Sequence, residues 1–409
     1  MARLKMTKQE KSWVMYDVGN SAFVLLATAL IPVYFSSIAE GSVVVAWGYA
    51  ETIASLVVAL LMPILGSLAD LQHMKKKFLI GFVGTGAVFC CALGLPSQAW
   101  IFLGLYVVAS ISLNSSMVFY DALLIDATAD DDRLDEVSSQ GYAWGYIGSC
   151  VPFIACLAIV LGGGVIGIDM MTGMKIAFVI TAVWWVLFTI PLVRNVHQLH
   201  YKERVPHQLS ATLHGLLNTL KSMWADKALR YFMLAFFFYI DGVHTIIKLS
   251  TSYGADLGID STQMVLALLV TQFVAFPSAI IYGRLGHKVG TKKMLLVGIA
   301  AYGFITIFGA FFLKSAVEFW ILAIMVGLFQ GGIQALSRSE FGKLIPKEHA
   351  NEYFGFFDIF GKYAAVMGTF LVSFITQITG FANLGVLSIG ILFIFGFVLM
   401  WKVPERKAD

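Results

Sequence analysis

Long apolar runs separated by short polar breaks dominate the chain. Twelve runs stand out, at 13–37, 43–70, 78–95, 99–125, 138–162, 173–193, 229–253, 261–283, 294–313, 316–342, 353–378 and 381–401. Each approaches or exceeds the roughly 20 residues an α-helix needs to cross the hydrocarbon of a bilayer. In lipid every backbone N–H and C=O must be satisfied within the segment, so each run predicts a helix. A closed barrel would need strictly alternating strands, and these runs are continuous. The expected fold class is all-α integral membrane, with twelve transmembrane helices.

The longest polar stretch, 194–228, falls between the sixth and seventh runs. It divides the chain into an N-terminal six-helix bundle over 1–193, a linker over 194–228 and a C-terminal six-helix bundle over 229–409. Within the linker Leu209, Leu213, Leu216, Leu217, Leu220 and Trp224 recur at helical spacing. They predict an amphipathic helix lying on the inner membrane surface. His197, His200, His207 and His214 share this stretch without the carboxylate or cysteine that would complete a metal site, and they read as solvated.

Composition agrees. Of 409 residues 58% are hydrophobic and 13% charged, and mean hydropathy is +0.80. Soluble domains carry about a quarter charged residues, so an ordinary water-soluble enzyme and a disordered chain are both excluded. Net charge is only +3, which gives no reason to expect a nucleic-acid partner. Four cysteines (Cys90, Cys91, Cys150 and Cys156) lie inside apolar runs and read as packing residues. Of the 28 lysines and arginines, 24 fall in or beside the termini and alternate loops. Positive charge stays on the cytoplasmic side, so both termini are expected inside. The first run lacks a cleavage site and reads as a retained span. Membrane lipids are the expected surroundings, and Lys75, Lys76 and Lys77 are placed to meet their phosphates.

The halves repeat. The second run ends GSLADLQHMKKK (Gly66 to Lys77) and the eighth ends GRLGHKVGTKK (Gly283 to Lys293), 217 residues apart. The first run holds Asp17-x-x-Asn20-Ser21 and the seventh Asp241-x-x-His244-Thr245. Tandem six-helix repeats around a central site are a transporter architecture. The end of the second run resembles the loop signature of the major facilitator superfamily, Gly-x-x-x-Asp followed by basic residues. Gly66, Asp70 and Lys75 fit, while Leu71, His73 and Met74 replace Arg, Gly and Arg. The eighth-run copy keeps Gly283, Lys288 and Gly290 and has His287 at the acidic position. YDVGNSAF (Tyr16 to Phe23), MVFYDALLID (Met117 to Asp126), SSQGYAWGYIG (Ser138 to Gly148), YIDGVHTII (Tyr239 to Ile247), QGGIQALSRSEFGKLIP (Gln330 to Pro346) and FGFFDIFGK (Phe354 to Lys362) resemble the family of the autophagy-related vacuolar amino-acid effluxer and its bacterial relatives. The resemblance implies the major facilitator fold and a monomeric secondary carrier, without a cofactor, for a small-molecule substrate. An amino acid is the implied cargo, an efflux carrier for a drug or metabolite is the alternative, and protons are the candidate coupling ion.

Polar groups in lipid spans are expensive and mark candidate sites. For substrate binding or coupling they are Asp17, Asn20, Asn114, Asp241, His244, Lys248, Gln330 and Gln334. Asp17 and Asp241 lie in the first and seventh spans, which line the cavity in the resembled architecture, and a carboxylate in a partly dry cavity can exchange protons near neutral pH. His244 and Lys248 follow Asp241 at i+3 and i+7 on one helix face. That face would hold a zwitterion, neutralise itself, or let Lys248 snorkel outward. The gating candidates are Gly66, Asp70, Gly283, Arg338, Asp358 and Lys362. Asp70 at the carboxyl end of the second span needs a positive partner against the helix dipole. The amino end of the eleventh helix, near Tyr353, is that partner if the halves pack as in the superfamily. Asp358 and Lys362 form an i,i+4 ion pair or a switching gate. Arg338 sits near the inner face with Glu340 in reach. An intramembrane aspartyl protease is the competing class: it needs two carboxylates sharing a proton, and the seventh span reads Tyr239-Ile-Asp241-Gly242 where the protease motif needs GxGD. GGGVIG (Gly162 to Gly167) matches a dinucleotide fingerprint but has no flanking strand.

Overall fold

The computed structural model describes residues 5–39, 43–128, 130–204, 208–256 and 258–404. These fold into α1 (Lys8–Ala29), α2 (Ile31–Ile38), α3 (Val43–Ala69), α4 (Lys75–Ala92), α5 (Ala99–Ala127), α6 (Leu134–Gly162), α7 (Met170–Asn195), α8 (Gln208–Ala225), α9 (Lys227–Asp256), α10 (Ser261–Val289), α11 (Thr291–Phe311), α12 (Ala316–Leu344), α13 (Ala350–Thr379) and α14 (Ala382–Trp401). The first run is a broken helix. Pro32 has no N–H to give, and α1 passes to α2 at Leu30. The span of α4 starts at Lys75, three residues before the apolar run, because Lys75 is buried rather than solvated. The expected linker helix is α8; His207 and the side chains of Leu209, Leu213 and His214 lie outside what is described.

Eleven membrane crossings among the described residues are long and apolar enough by composition. The short α4, opening on three lysines, is the twelfth. The outward faces are apolar: Leu60 is 70% exposed and Ile394 65%. A water-soluble monomer rarely exposes so continuous an apolar surface.

Helix ends follow local chemistry. Thr7 caps α1, its hydroxyl accepting from the Glu10 N–H while the Glu10 carboxylate accepts from the Thr7 N–H. Asp169 caps α7, accepting from the Thr172 hydroxyl at 2.7 Å and from the Thr172 N–H at 2.9 Å, and both bonds lower its pKa.

The chain forms two compact units. One comprises Met1–Ala129, Trp144–Thr212 and Lys347–Gly355; the other comprises Asp130–Ala143, Leu213–Pro346 and Phe356–Asp409. In the first, α1 packs on α7 and α5, α3 on α5, and α4 on α5 and α7. In the second, α9 packs on α14 and α12, α10 on α12, and α11 on α12 and α14. The pairings correspond helix for helix, so the repeat extends to packing. Aromatic contacts fill both. Trp13 stacks on Tyr120 with centroids 4.3 Å apart, and Phe236 stacks on Phe357 at 4.0 Å.

The first turns of α6 and α13 group with the unit opposite to their own half. Close approach at two glycines explains this. A Cβ on Gly66 would lie 2.5 Å from the Asn351 carbonyl oxygen, so the amino end of α13 rests directly on α3. A Cβ on Gly283 would lie 2.5 Å from the Ser139 side chain, so the start of α6 rests on α10.

Candidate transport and gating residues

Within the first unit Asp17 is 3% exposed and Asn20 1%. The Tyr120 hydroxyl donates to Asp17 Oδ2 at 2.7 Å, and Asn20 Nδ2 donates to Oδ1 at 3.2 Å. Asp17 is therefore held in the α1–α5 packing. Asn114 is half-buried and donates back to the Ser110 carbonyl of its own helix at 2.8 Å.

In the second unit Asp241 is fully buried on α9. Its Oδ1 accepts the Gly368 N–H of α13 at 2.9 Å and the Thr245 hydroxyl at 3.3 Å. Its Oδ2 is buried with no hydrogen-bond partner. The face expected to gather Asp241, His244 and Lys248 spreads them by depth instead: His244 is half-buried and Lys248 exposed. Seven residues of helix set Lys248 about 10 Å from Asp241 along the axis, and its charge still acts on both Asp241 and His244. On α12 Gln330 is buried and Gln334 half-buried. The nearby Gly332 faces the Tyr282 ring of α10, and the glycines of this stretch serve helix packing.

The gating candidates form two clusters. In the first unit Asp70 has no exposure. Its Oδ1 accepts the Asn351 N–H at 2.9 Å and Asn351 Nδ2 at 2.7 Å, and its Oδ2 accepts the Glu352 N–H at 3.1 Å. This is the expected partnership with the amino end of the eleventh transmembrane helix, α13. Those N–H groups have no acceptor within their own helix, and the dipole there favours an anion. Burial pushes the Asp70 carboxyl pKa up, while Lys75, Lys202 and the Asn351 donors pull it down. Lys75, read from sequence as solvated or lipid-bound, is fully buried and pairs with the equally buried Asp126 at 2.8 Å. His200, read as a solvated loop residue, has Nδ1 3.0 Å from Asp126 Oδ1.

In the second unit Asp135, on the first turn of α6, meets Lys343 at 2.8 Å and accepts from the Thr291 hydroxyl at 2.6 Å and the Ser339 hydroxyl at 2.5 Å. Arg338 is 1% exposed. It donates from Nε to the Ser138 hydroxyl and from an Nη to the Ser138 carbonyl, both at 2.9 Å, and lies 4.4 Å from the Tyr142 ring centre. Glu340, the partner expected for Arg338, is instead placed with Lys343 and Thr291. Asp358 and Lys362 pair within α13. No group of three metal-binding side chains occurs among the described residues.

The residues that sequence reasoning missed are Asp126, Asp135, His200, Lys202, Lys343, Asn351 and Glu352. They sit in the breaks between apolar runs, His200 and Lys202 in the longest of them, where charge reads as a marker of sidedness. A signal was present: Asp126 and Lys343, and Asp135 and Glu352, are each 217 apart, the spacing of Gly66 and Gly283.

The repeated helix packing, the close-approach glycines and the Asp70 contact can be set against known proteins. A family model described as "Vacuole effluxer Atg22 like" matches residues 41–409. The chain belongs to the Atg22-like family of major facilitator superfamily transporters. A relative from Bacillus subtilis (strain 168), described as an uncharacterized MFS-type transporter, YxiO, is 45% identical over 99% of this chain and 96% of its own length. Autophagy-related protein 22 of Cryptococcus neoformans is 26% identical over 66% of this chain, which spans about half (50%) of that protein. Among solved structures, the human organic anion transporter MFSD10 superposes with a TM-score of 0.74 at 12% identity, covering 96% of this chain and 99% of that one. The outward-conformation FucP structure superposes at 0.72 with 11% identity, covering 97% and 98%. These likenesses show the fold. The family is one of membrane transporters rather than enzymes, so the protease reading is set aside.

Proposed function

We propose that this transporter is a secondary active carrier that moves a small polar solute, an amino acid in the first instance, by alternating access with protons as the coupling ion. The observation that carries the reading is Asp241, a buried carboxylate inside a membrane span with one oxygen left without a hydrogen-bond partner. An unpaired buried carboxylate oxygen is costly unless the group binds a proton or a cation during the working cycle. Asp17 is the weaker coupling candidate, because Tyr120 and Asn20 occupy its oxygens. Gln330, Gln334, His244, Asn114 and Lys248 are the polar groups offered to a solute, and Lys362 with Asp358 is a candidate switching pair. The distribution of lysine and arginine supports cytoplasmic termini, and the Bacillus relative supports a bacterial cytoplasmic membrane.

Asp70 is the proposed latch. Holding two amides and a side chain at the start of α13, it keeps that end closed, and the carrier opens there only when these bonds break.

The test is reconstitution of the full chain in vesicles with labelled amino acids, with and without a pH gradient. Gradient-driven accumulation is expected, and Asp241→Asn should reduce it about tenfold or more while exchange without a gradient persists. Undiminished gradient-driven accumulation in Asp241→Asn would remove Asp241 from the coupling role. Movement of another solute class but of no amino acid would overturn the cargo and leave the carrier reading intact.

A further inference from the structure

The segment joining α7 to α8 does more than connect the halves. Its residues 198–202 are bonded along their length to the first unit's gating cluster. Gln198 Nε2 donates to the Leu71 carbonyl at 3.1 Å. The N–H groups of Leu199 and His200 both donate to Asp126 Oδ1 at 3.0 Å. The Lys202 N–H donates to the Asp70 carbonyl at 2.8 Å, pairing this segment with the turn after α3 as a short parallel bridge. The Lys202 side chain then reaches Glu352 Oε2 at 2.5 Å and Asp70 Oδ2 at 3.8 Å.

The repeat explains why a linker residue is needed. In the second unit the acid on the incoming helix turn, Asp135, is neutralised by Lys343 at the end of α12. Glu352 occupies the corresponding position in the first unit, and the residue corresponding to Lys343 is Asp126, an acid. That acid is itself taken by Lys75. Glu352, whose side chain is 3% exposed and which also has His349 Nδ1 at 3.9 Å, and Asp70, which has no exposure and also feels the Lys75 charge, lie together beside Lys202, the lysine brought from outside the bundle that reaches both. Two buried carboxylates side by side repel each other unless a cation lies between them.

We infer that Lys202 is a positioning residue of the latch. It holds Glu352 and Asp70 together, so the Asp70–α13 bonds release only when the 198–202 segment peels away from the turn after α3. The inference rests on the latch reading of Asp70 and adds the linker as its third component.

The amides of Asn351 and Glu352 report on this directly, since their acceptors are the Asp70 oxygens. The experiment is hydrogen exchange of the peptide spanning these residues, on the full chain in lipid nanodiscs without substrate. Lys202→Met keeps most of the apolar stem and removes the charge. Exchange at Asn351 and Glu352 should rise about tenfold, the scale of a lost hydrogen bond to a charged group. Lys202→Glu alone should raise it further, and Lys202→Glu combined with Glu352→Lys should restore part of the protection. A structural role in folding would not show that rescue, and it would raise exchange throughout the chain. Asp70→Asn is the control for the underlying reading. If Asp70→Asn raises exchange at these amides and Lys202→Met does not, the linker inference is overturned and the latch survives. If Asp70→Asn changes nothing, the latch and its linker component both fail.

Discussion

At the end of α3, Gly66 lets the first turn of α13 sit directly on the helix, with backbone as the nearest neighbour. At the end of α10, Gly283 lets the first turn of α6 do the same, with the Ser139 side chain as the nearest neighbour. Past the first glycine comes Asp70, which accepts the incoming helix's free amides. Past the second comes His287, whose ring lies 3.1 Å from the Asp132 carbonyl oxygen. The first cluster buries a lysine–aspartate pair with no exposure on either side chain; in the second Lys343 is 25% exposed. One backbone arrangement thus carries two different charge patterns. The repeat preserves what close packing requires, namely absent side chains and tight turns. It leaves free which group supplies the charge, because several arrangements neutralise one buried acid.

The difference can be broken first at the ion pairs. Asp126→Ala leaves Lys75 charged and buried, and should cost about 3–5 kcal/mol. Lys343→Ala leaves the buried Asp135 with the Thr291 and Ser339 hydroxyls still donating to it, and should cost less, about 2 kcal/mol. Thermal unfolding in one detergent checks both, and equal losses would show that the two clusters are energetically alike. The glycines come next. Gly66→Ala drives a Cβ into backbone and should cost about 3 kcal/mol, with no side-chain truncation able to relieve it. Gly283→Ala meets Ser139, so combining it with Ser139→Gly should recover most of its loss. The same unfolding assay reads this, and rescue failing in the second unit would mean that backbone limits both sites. The smallest effect lies in the turns. His73 has φ +62°, the left-handed region, where its counterpart 217 residues on is Gly290 with φ +106°. His73→Gly should therefore stabilise by about 1 kcal/mol, and Gly290→Ala should destabilise by a similar amount.

Much of the fold was legible. The helices were visible because lipid admits a narrow set of backbone solutions, while their ends moved by several residues: α1 starts at Lys8 against 13, α10 runs on to Val289 against 283, and the first run is broken at Leu30. That Asp70 needs a positive partner was legible, because an anion at a helix carboxyl end must find positive potential elsewhere, and the superfamily resemblance pointed to the amino end of α13. Lys202, His200 and Asp126 were not, since a charged residue in a short loop looks the same whether it faces water or seals a joint. Helical periodicity put Asp241, His244 and Lys248 on one face but carried no information on depth, and the structure leaves Lys248 exposed while Asp241 is buried.

Sequence alone determined the number of spans, the two-fold repeat and the type of protein. The spans follow from hydrocarbon thickness and from the cost of unpaired backbone groups in lipid, which act on each segment independently; the repeat rested on its spaced motifs and the type of protein on their family resemblance. Tertiary structure decided which acids meet which lysines, that Asp17 is occupied while Asp241 Oδ2 has no hydrogen-bond partner, and that the linker joins the cluster around Asp70. Those outcomes depend on distances of a few ångströms between segments far apart in the chain, and no local rule fixes them.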